Sequence, residues 1–188
     1  MLQTVKESLG WFKDARDRDL CILFISGHAV TSDGNYYFLP EDAVFKADES
    51  LDTQTAISYT EINSVLAIPG RKLLILDTCH AAGAGRSGMA DTTALIREAK
   101  EYYSVVFSSS KANELSLEQR EYEHGLFTYG IITGLEGEAA SHVTGKITMK
   151  SLDSYVSDLV RELSSGRQNP ITNTPDGYEN FTLATLDK

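Results

Sequence analysis

The sequence predicts an α/β fold: a three-layer sandwich with a mostly parallel central sheet and helices on both faces, in a single domain spanning residues 1–188. Three observations predict it. Leu73 to Leu76 and Cys21 to Ile25 are continuous apolar runs without polar alternation, which suits strands buried on both faces. Val105 to Phe107 is a third such run. Helical patterns alternate with these strands, and no repeat, low-complexity tract or interdomain linker interrupts them.

The helices and turns can be read in order. Val5, Leu9 and Phe12 share one face, and Thr4 with Glu7 fits a capping box, so a helix is expected from about Thr4 to Asp17. The Cys21 strand ends in Ser26-Gly27-His28-Ala29. Ser32-Asp33-Gly34-Asn35 is a turn signal before a short strand, Tyr36 to Leu39. Residues 40–55 read as acidic and irregular. Ser58 with Glu61 caps a helix carrying Ile62, Val65 and Leu66, and Pro69-Gly70 stops it. After the Leu73 strand come a Gly-rich loop, Gly83 to Gly88, and a helix from about Asp91 to Tyr102. Residues 111–123 carry both signs of charge and read as a surface loop. A helix is expected from His124 to Leu135. Leu152, Tyr155, Val156, Leu159, Val160 and Leu163 form the clearest amphipathic helix, ended by Gly166. Phe181 to Leu186 reads as a last strand.

Composition narrows the function classes. Hydrophobic residues are 41% and charged residues 23%, ordinary for a soluble globular protein. A net charge of −10 argues against nucleic acid, whose phosphates need a basic surface. No apolar run is long enough to span a membrane, and no signal peptide opens the chain. Two cysteines do not make a disulfide framework, so a reducing cytoplasm is expected.

The chemistry converges on two strand ends. Leu73 to Leu76 runs into Asp77-Thr78-Cys79-His80, and Cys21 to Ile25 runs into Ser26-Gly27-His28. Catalytic groups in open α/β sheets gather at the carboxyl ends of strands. A right-handed crossover puts these two strands side by side, about 4.8 Å apart, so His28 and Cys79 can converge above the sheet. A thiol near pKa 8.5 is mostly protonated at neutral pH, and a neighbouring imidazole can take or share its proton. The competing readings are a core cysteine and a satisfied strand-end histidine. His80 reads as structural or as pocket wall, His124 as a helix start, and Cys21 as core, roughly 23 Å from the site and too far for a disulfide to Cys79. No zinc-ligand spacing is present.

Phe24-Ile-Ser-Gly-His28, Leu76-Asp-Thr-Cys-His80, Ser108-Ser109 and His124-Gly-Leu-Phe-Thr-Tyr129 together carry a resemblance. The chain resembles a caspase-like cysteine peptidase, closer to the metacaspase and orthocaspase branch than to the animal caspases. A histidine about 50 residues upstream of the cysteine fits that arrangement. The resemblance implies that Cys79 is the nucleophile and His28 the general base that later protonates the leaving amine. It implies backbone N–H donors from Cys79 and Ala29 for the oxyanion, although the family usually has Gly at the second position. It also implies that Asp77 lies at the floor of an S1 pocket selecting Arg or Lys at P1, with Ser108 and Ser109 as polar walls. The other reading of Asp77 is a turn cap.

Further expectations follow from the same resemblance. The substrate is a peptide or protein with a basic P1 residue, and self-cleavage is expected after Arg86, Lys111 or Arg120, which lie in polar loops. No cofactor is expected. Some relatives need calcium, which acidic stretches such as Glu41 to Asp52 could host, but no EF-hand spacing is present. In the caspase-like sheet at least one strand precedes the opening helix. The chain is therefore expected to lack the family's first strand, leaving Cys21 to Ile25 at an edge for an N-terminal segment or regulatory subunit to complete. The alternatives are a catalytically silent caspase-like binding module and a flavodoxin-like domain; the latter would want a phosphate-cradling Gly loop after its first strand, and none is present.

Overall fold

The computed structural model describes residues 1–80, 96, 99–110 and 124–186. The apolar runs form the middle of the sheet. β1 is Leu20–Ser32, β4 is Arg71–His80 and β5 is Ser104–Ser108, and the three lie side by side in parallel. β2, Asn35–Leu39, returns antiparallel to the second half of β1. Asp33 and Gly34 both take positive φ, the two-residue geometry that suits a right-twisted hairpin. Two short strands of this sheet were not anticipated: β3, Ile57–Ser58, pairs with β2, and β7, Ile171–Asn173, pairs antiparallel with β5. The order is β3-β2-β1-β4-β5-β7, and four of the six strands run the same way. The expected last strand forms as β8, Thr182–Thr185. It pairs with β6, Lys146–Thr148, in a separate two-stranded sheet.

Helices cover both faces of the sheet. On one, α3, Leu126–Thr133, and α4, Met149–Leu163, pack on Leu73, Ile75, Val105 and Phe107. Phe127 meets Phe107 edge to face with ring centres 4.7 Å apart. Thr148 and Ser151 make a reciprocal capping box for α4. On the other face, α1, Leu2–Leu9, and α2, Tyr59–Leu66, lie over Leu74, Leu76 and Val106. Ala99, at a helical position, is buried in that same cluster.

The opening helix departs from expectation. It begins at Leu2, where the backbone N–H meets the Asp42 carboxylate at 3.1 and 3.2 Å, and Thr4 makes no cap. It tightens into a 3₁₀ turn over Gly10–Asp14, because Gly10 weakens the helix and Trp11 is exposed. The Ser58–Glu61 capping box forms as read: Ser58 N–H donates to Glu61 Oε2 at 2.9 Å and Glu61 N–H to Ser58 Oγ at 3.3 Å. The helix expected from His124 starts at Leu126 and runs into a π turn over Gly134–Glu138, where Gly137 takes positive φ.

Burial on β1 also differs. Leu73 to Leu76 are all buried, but Ile22 is 45% and Phe24 43% exposed, and Cys21 is only partly buried. The reason is pairing. β2 pairs only with His28 to Ser32, so among the described residues Leu20 to Gly27 has β4 on one side and no strand on the other. An apolar run at an edge cannot be covered as fully as one flanked by strands.

Candidate active site

β1 and β4 bring the two halves of the sequence motif together. Their parallel register is unbroken from Leu20↔Arg71 to Ala29↔His80, and it places His28 directly opposite Cys79. Adjacent strands stand about 4.8 Å apart. Neither residue lies past the end of its strand, as the sequence suggested. β1 continues to Ser32 and β4 to His80, because the β2 hairpin extends the sheet upward beyond the motif. Gly27 precedes His28 with φ of 147°, a conformation that side chains with a Cβ rarely adopt. Pairing to β2 begins at the next residue, His28, which is exposed.

Asp77 is two residues before Cys79 and opposite Ser26. It is only 5% exposed. Thr128, in the first turn of α3, donates its hydroxyl to Asp77 Oδ2 at 2.5 Å. A Cβ added at Gly125, which precedes α3, would stand 3.0 Å from the same oxygen. The His124 to Tyr129 segment thus meets the Asp77 strand at the carboxylate. His124 itself is exposed.

Ser108 and Ser109 are buried beside this strand. Ser109 N–H donates to Leu76 O at 2.8 Å, extending β5 one step toward Asp77. Ser108 is two residues beyond Val106 and so shares its α1–α2 face of the strand, and its hydroxyl donates to Ser110 O at 3.3 Å. Gln168, fully buried, donates from Nε2 to Ser109 O at 2.9 Å. Ala29 is buried and has a paired neighbour on each side, Phe38 and His80.

Below the motif, Tyr36 is buried on β2 and its hydroxyl lies 3.1 Å from Thr78 Oγ1. Burial pushes the Tyr36 phenol up to about 12, and the Thr78 hydrogen bond opposes that shift. Sequence reasoning missed Tyr36. Its signal was the turn itself, since a two-residue turn sets Thr31 opposite Tyr36 and brings the ring beneath the site. At the far end of the sheet, burial raises the Cys21 thiol, Asp19 raises it further, and Lys72 opposes. Cys21 is a free thiol opposite Lys72 in the register. Arg86, Lys111 and Arg120, the self-cleavage candidates, lie outside the described residues.

Among the described residues, no helix is long and apolar enough to cross a membrane, and no group of three or more His, Cys, Asp or Glu converges as a metal site.

Comparison with known proteins bears on the fold and the family. The crystal structure of protein GSU0716 from Geobacter sulfurreducens superposes with a TM-score of 0.52, covering 98% of this chain and 74% of that one. The two share 17% sequence identity, so the likeness concerns the fold alone. No curated protein sequence matches the chain. The family model described as the caspase domain matches residues 2–181. That span includes both strand ends and every helix described above, and the chain accordingly belongs to the caspase domain family of cysteine peptidases.

Proposed function

We propose that this chain is a cysteine endopeptidase of the metacaspase and orthocaspase type, cleaving after Arg or Lys. The observation that carries the reading is the register: His28 opposite Cys79 on adjacent parallel strands, with Asp77 two residues before the cysteine. Cys79 attacks the peptide carbonyl as thiolate, and its proton passes to His28. A tetrahedral oxyanion forms, held by the backbone N–H groups of Cys79 and Ala29. The C–N bond then breaks, and the His28 imidazolium protonates the leaving amine. Water, deprotonated by His28, hydrolyses the thioester and frees Cys79. Asp77 pairs with the P1 cation, and Ser109 contributes a polar wall beside it, with Ser108 behind.

The same reading covers self-processing after Arg86, Lys111 or Arg120, no required cofactor, a cytoplasmic setting, and no nucleic-acid or membrane partner. An N-terminal segment or regulatory subunit completes the sheet along Leu20 to Gly27; the unpaired edge and the exposed Ile22 and Phe24 support this. The second reading is a silent binding module. Ala29 favours it, because a buried residue flanked by two strands has ladder carbonyls competing for its N–H.

The test compares peptides with Arg, Lys, Asp and Leu at P1. Wild type should cleave the first two, and Cys79→Ala and His28→Ala should each abolish cleavage without additive effects. Asp77→Ala should lose basic substrates by about 2–5 kcal/mol while leaving Cys79 open to small alkylating agents. Intact masses should show nicking in wild type and none in Cys79→Ala. Preference for Asp at P1, or activity surviving in Cys79→Ala, would overturn the assignment. A wild type that cleaves nothing and resists an Arg-bearing thiol-reactive probe would favour the silent module.

A further inference from the structure

Asp77 is held from outside its own strand. Thr128 reaches it across 51 positions of sequence, and the Thr128 hydroxyl donates to Oδ2 at 2.5 Å, the short limit for hydroxyl-to-carboxylate bonds. The helix that carries Thr128 has Gly125 at its N-cap and no side-chain cap of its own. The Asp77 carboxylate therefore sits against the positive end of α3. Another threonine of the same helix behaves differently. Thr133 donates its hydroxyl locally, 3.0 Å from Tyr129 O and 3.3 Å from Gly130 O, while accepting from the Tyr155 hydroxyl at 3.2 Å. Thr128 is also β-branched, so in a helix its χ1 is restricted to two main rotamers, and the one seen here aims the hydroxyl at Asp77.

We propose that Thr128 is the positioning residue for recognition of the P1 cation: it fixes the plane of the Asp77 carboxylate so that a guanidinium can dock on it. The proposal rests on the basic P1 specificity proposed above. A carboxylate accepts at about four lone-pair sites, so an oxygen already bonded to Thr128 can still take part in recognising a ligand. What Thr128 supplies is orientation. A planar, two-pronged guanidinium needs the carboxylate in one plane, whereas a lysine ammonium is a point charge that tolerates rotation. A pre-set carboxylate also avoids ordering costs on binding. Arg substrates should therefore depend on Thr128 more than Lys substrates do. Gly125 belongs to the same device, because a methyl group there would press on Oδ2 from the helix side.

The experiment measures kcat and KM for peptides with Arg, Lys and Leu at P1 on wild type, Thr128→Val, Thr128→Ser and Gly125→Ala. Thr128→Val should raise KM for Arg about 10-fold to 100-fold, the scale of a hydrogen bond to a charged group. It should leave kcat within about twofold, as expected for loss of uniform binding, and should shift KM for Lys less than for Arg. Thr128→Ser should restore the wild-type Arg-to-Lys ratio, since it returns the hydroxyl. Inhibition by benzamidine, a planar cation, should weaken in parallel with the Arg substrate. If Thr128→Val fails to fold, Gly125→Ala carries the test, because it displaces the carboxylate with the hydroxyl intact and should lower the Arg-to-Lys ratio. A wild type that cleaves after neither Arg nor Lys would defeat the specificity reading itself. A wild type that cleaves after Arg, beside a folded Thr128→Val with unchanged KM and ratio, would overturn the role of Thr128 alone. Equal losses for Arg, Lys and Leu peptides would also overturn it, by making the bond merely structural.

Discussion

β1 and β4 carry the two halves of the motif on neighbouring strands, yet they are supported very differently. β4 is flanked by β1 and β5, and its residues from Lys72 to Thr78 are all buried. Among the described residues, β1 has a paired strand on both sides only at His28 and Ala29, and its first half keeps Ile22 and Phe24 largely in solvent. Both are apolar runs of similar composition. The difference teaches that neighbours, not composition, decide how much an apolar residue contributes. It also places Cys79 three residues beyond Leu76, the last β4 position paired with β5, and His28 where β1 gains its second neighbour.

The contrast can be broken by substitution. Leu74 is fully buried between Leu23 and Val106, so Leu74→Ala should destabilise by about 2–5 kcal/mol in denaturant unfolding. Tyr36→Phe tests the polar tie beneath the site and should act through pH. The folded phenol holds its proton up to about 12, against an ordinary value of 10. Folded Tyr36 thus keeps its proton in a window where the unfolded chain has lost it. Its contribution is fully present below pH 10 and is lost as pH rises toward 12, amounting to about 2–3 kcal/mol. Stability followed through that window should fall in wild type and flatten in Tyr36→Phe. The smallest effect is expected at the edge: Ile22→Thr should change stability by no more than about 0.5 kcal/mol. If Ile22→Thr costs as much as Leu74→Ala, the edge is covered in solution and the comparison fails.

The comparison also explains what the sequence made legible. The three central strands, the Asp33-Gly34 turn, the Ser58–Glu61 cap and the amphipathic α4 were readable because each is local: an apolar run, a turn pair, a capping box, a 3.6-residue repeat. The placing of His28 opposite Cys79 was readable because a crossover makes the two motif-bearing strands neighbours. β3 and β7 were not, since strands of two and three residues carry no periodicity. The exposure of Ile22 depends on where β2 stops pairing, which the run itself does not encode. Thr128 lies within the His124–Tyr129 motif, but its tie to Asp77 exists only once α3 docks on the sheet. Tyr36 and Gln168 are alike in this: each is an ordinary residue made important by a long-range contact.

Gln168 ties regions that are far apart in sequence. Its side chain donates to Ser109 O, while its N–H donates to Ser164 Oγ and its carbonyl lies 3.3 Å from that same hydroxyl. The turn that ends α4 is thereby fastened, inside the core, to the tip of β5 beside Asp77. Such a knot cannot loosen at one end alone without stranding buried amide groups away from water. In the language of native-state hydrogen exchange, the end of α4 and the tip of β5 therefore form one foldon: their amides should open to solvent together, although some sixty residues of chain lie between them.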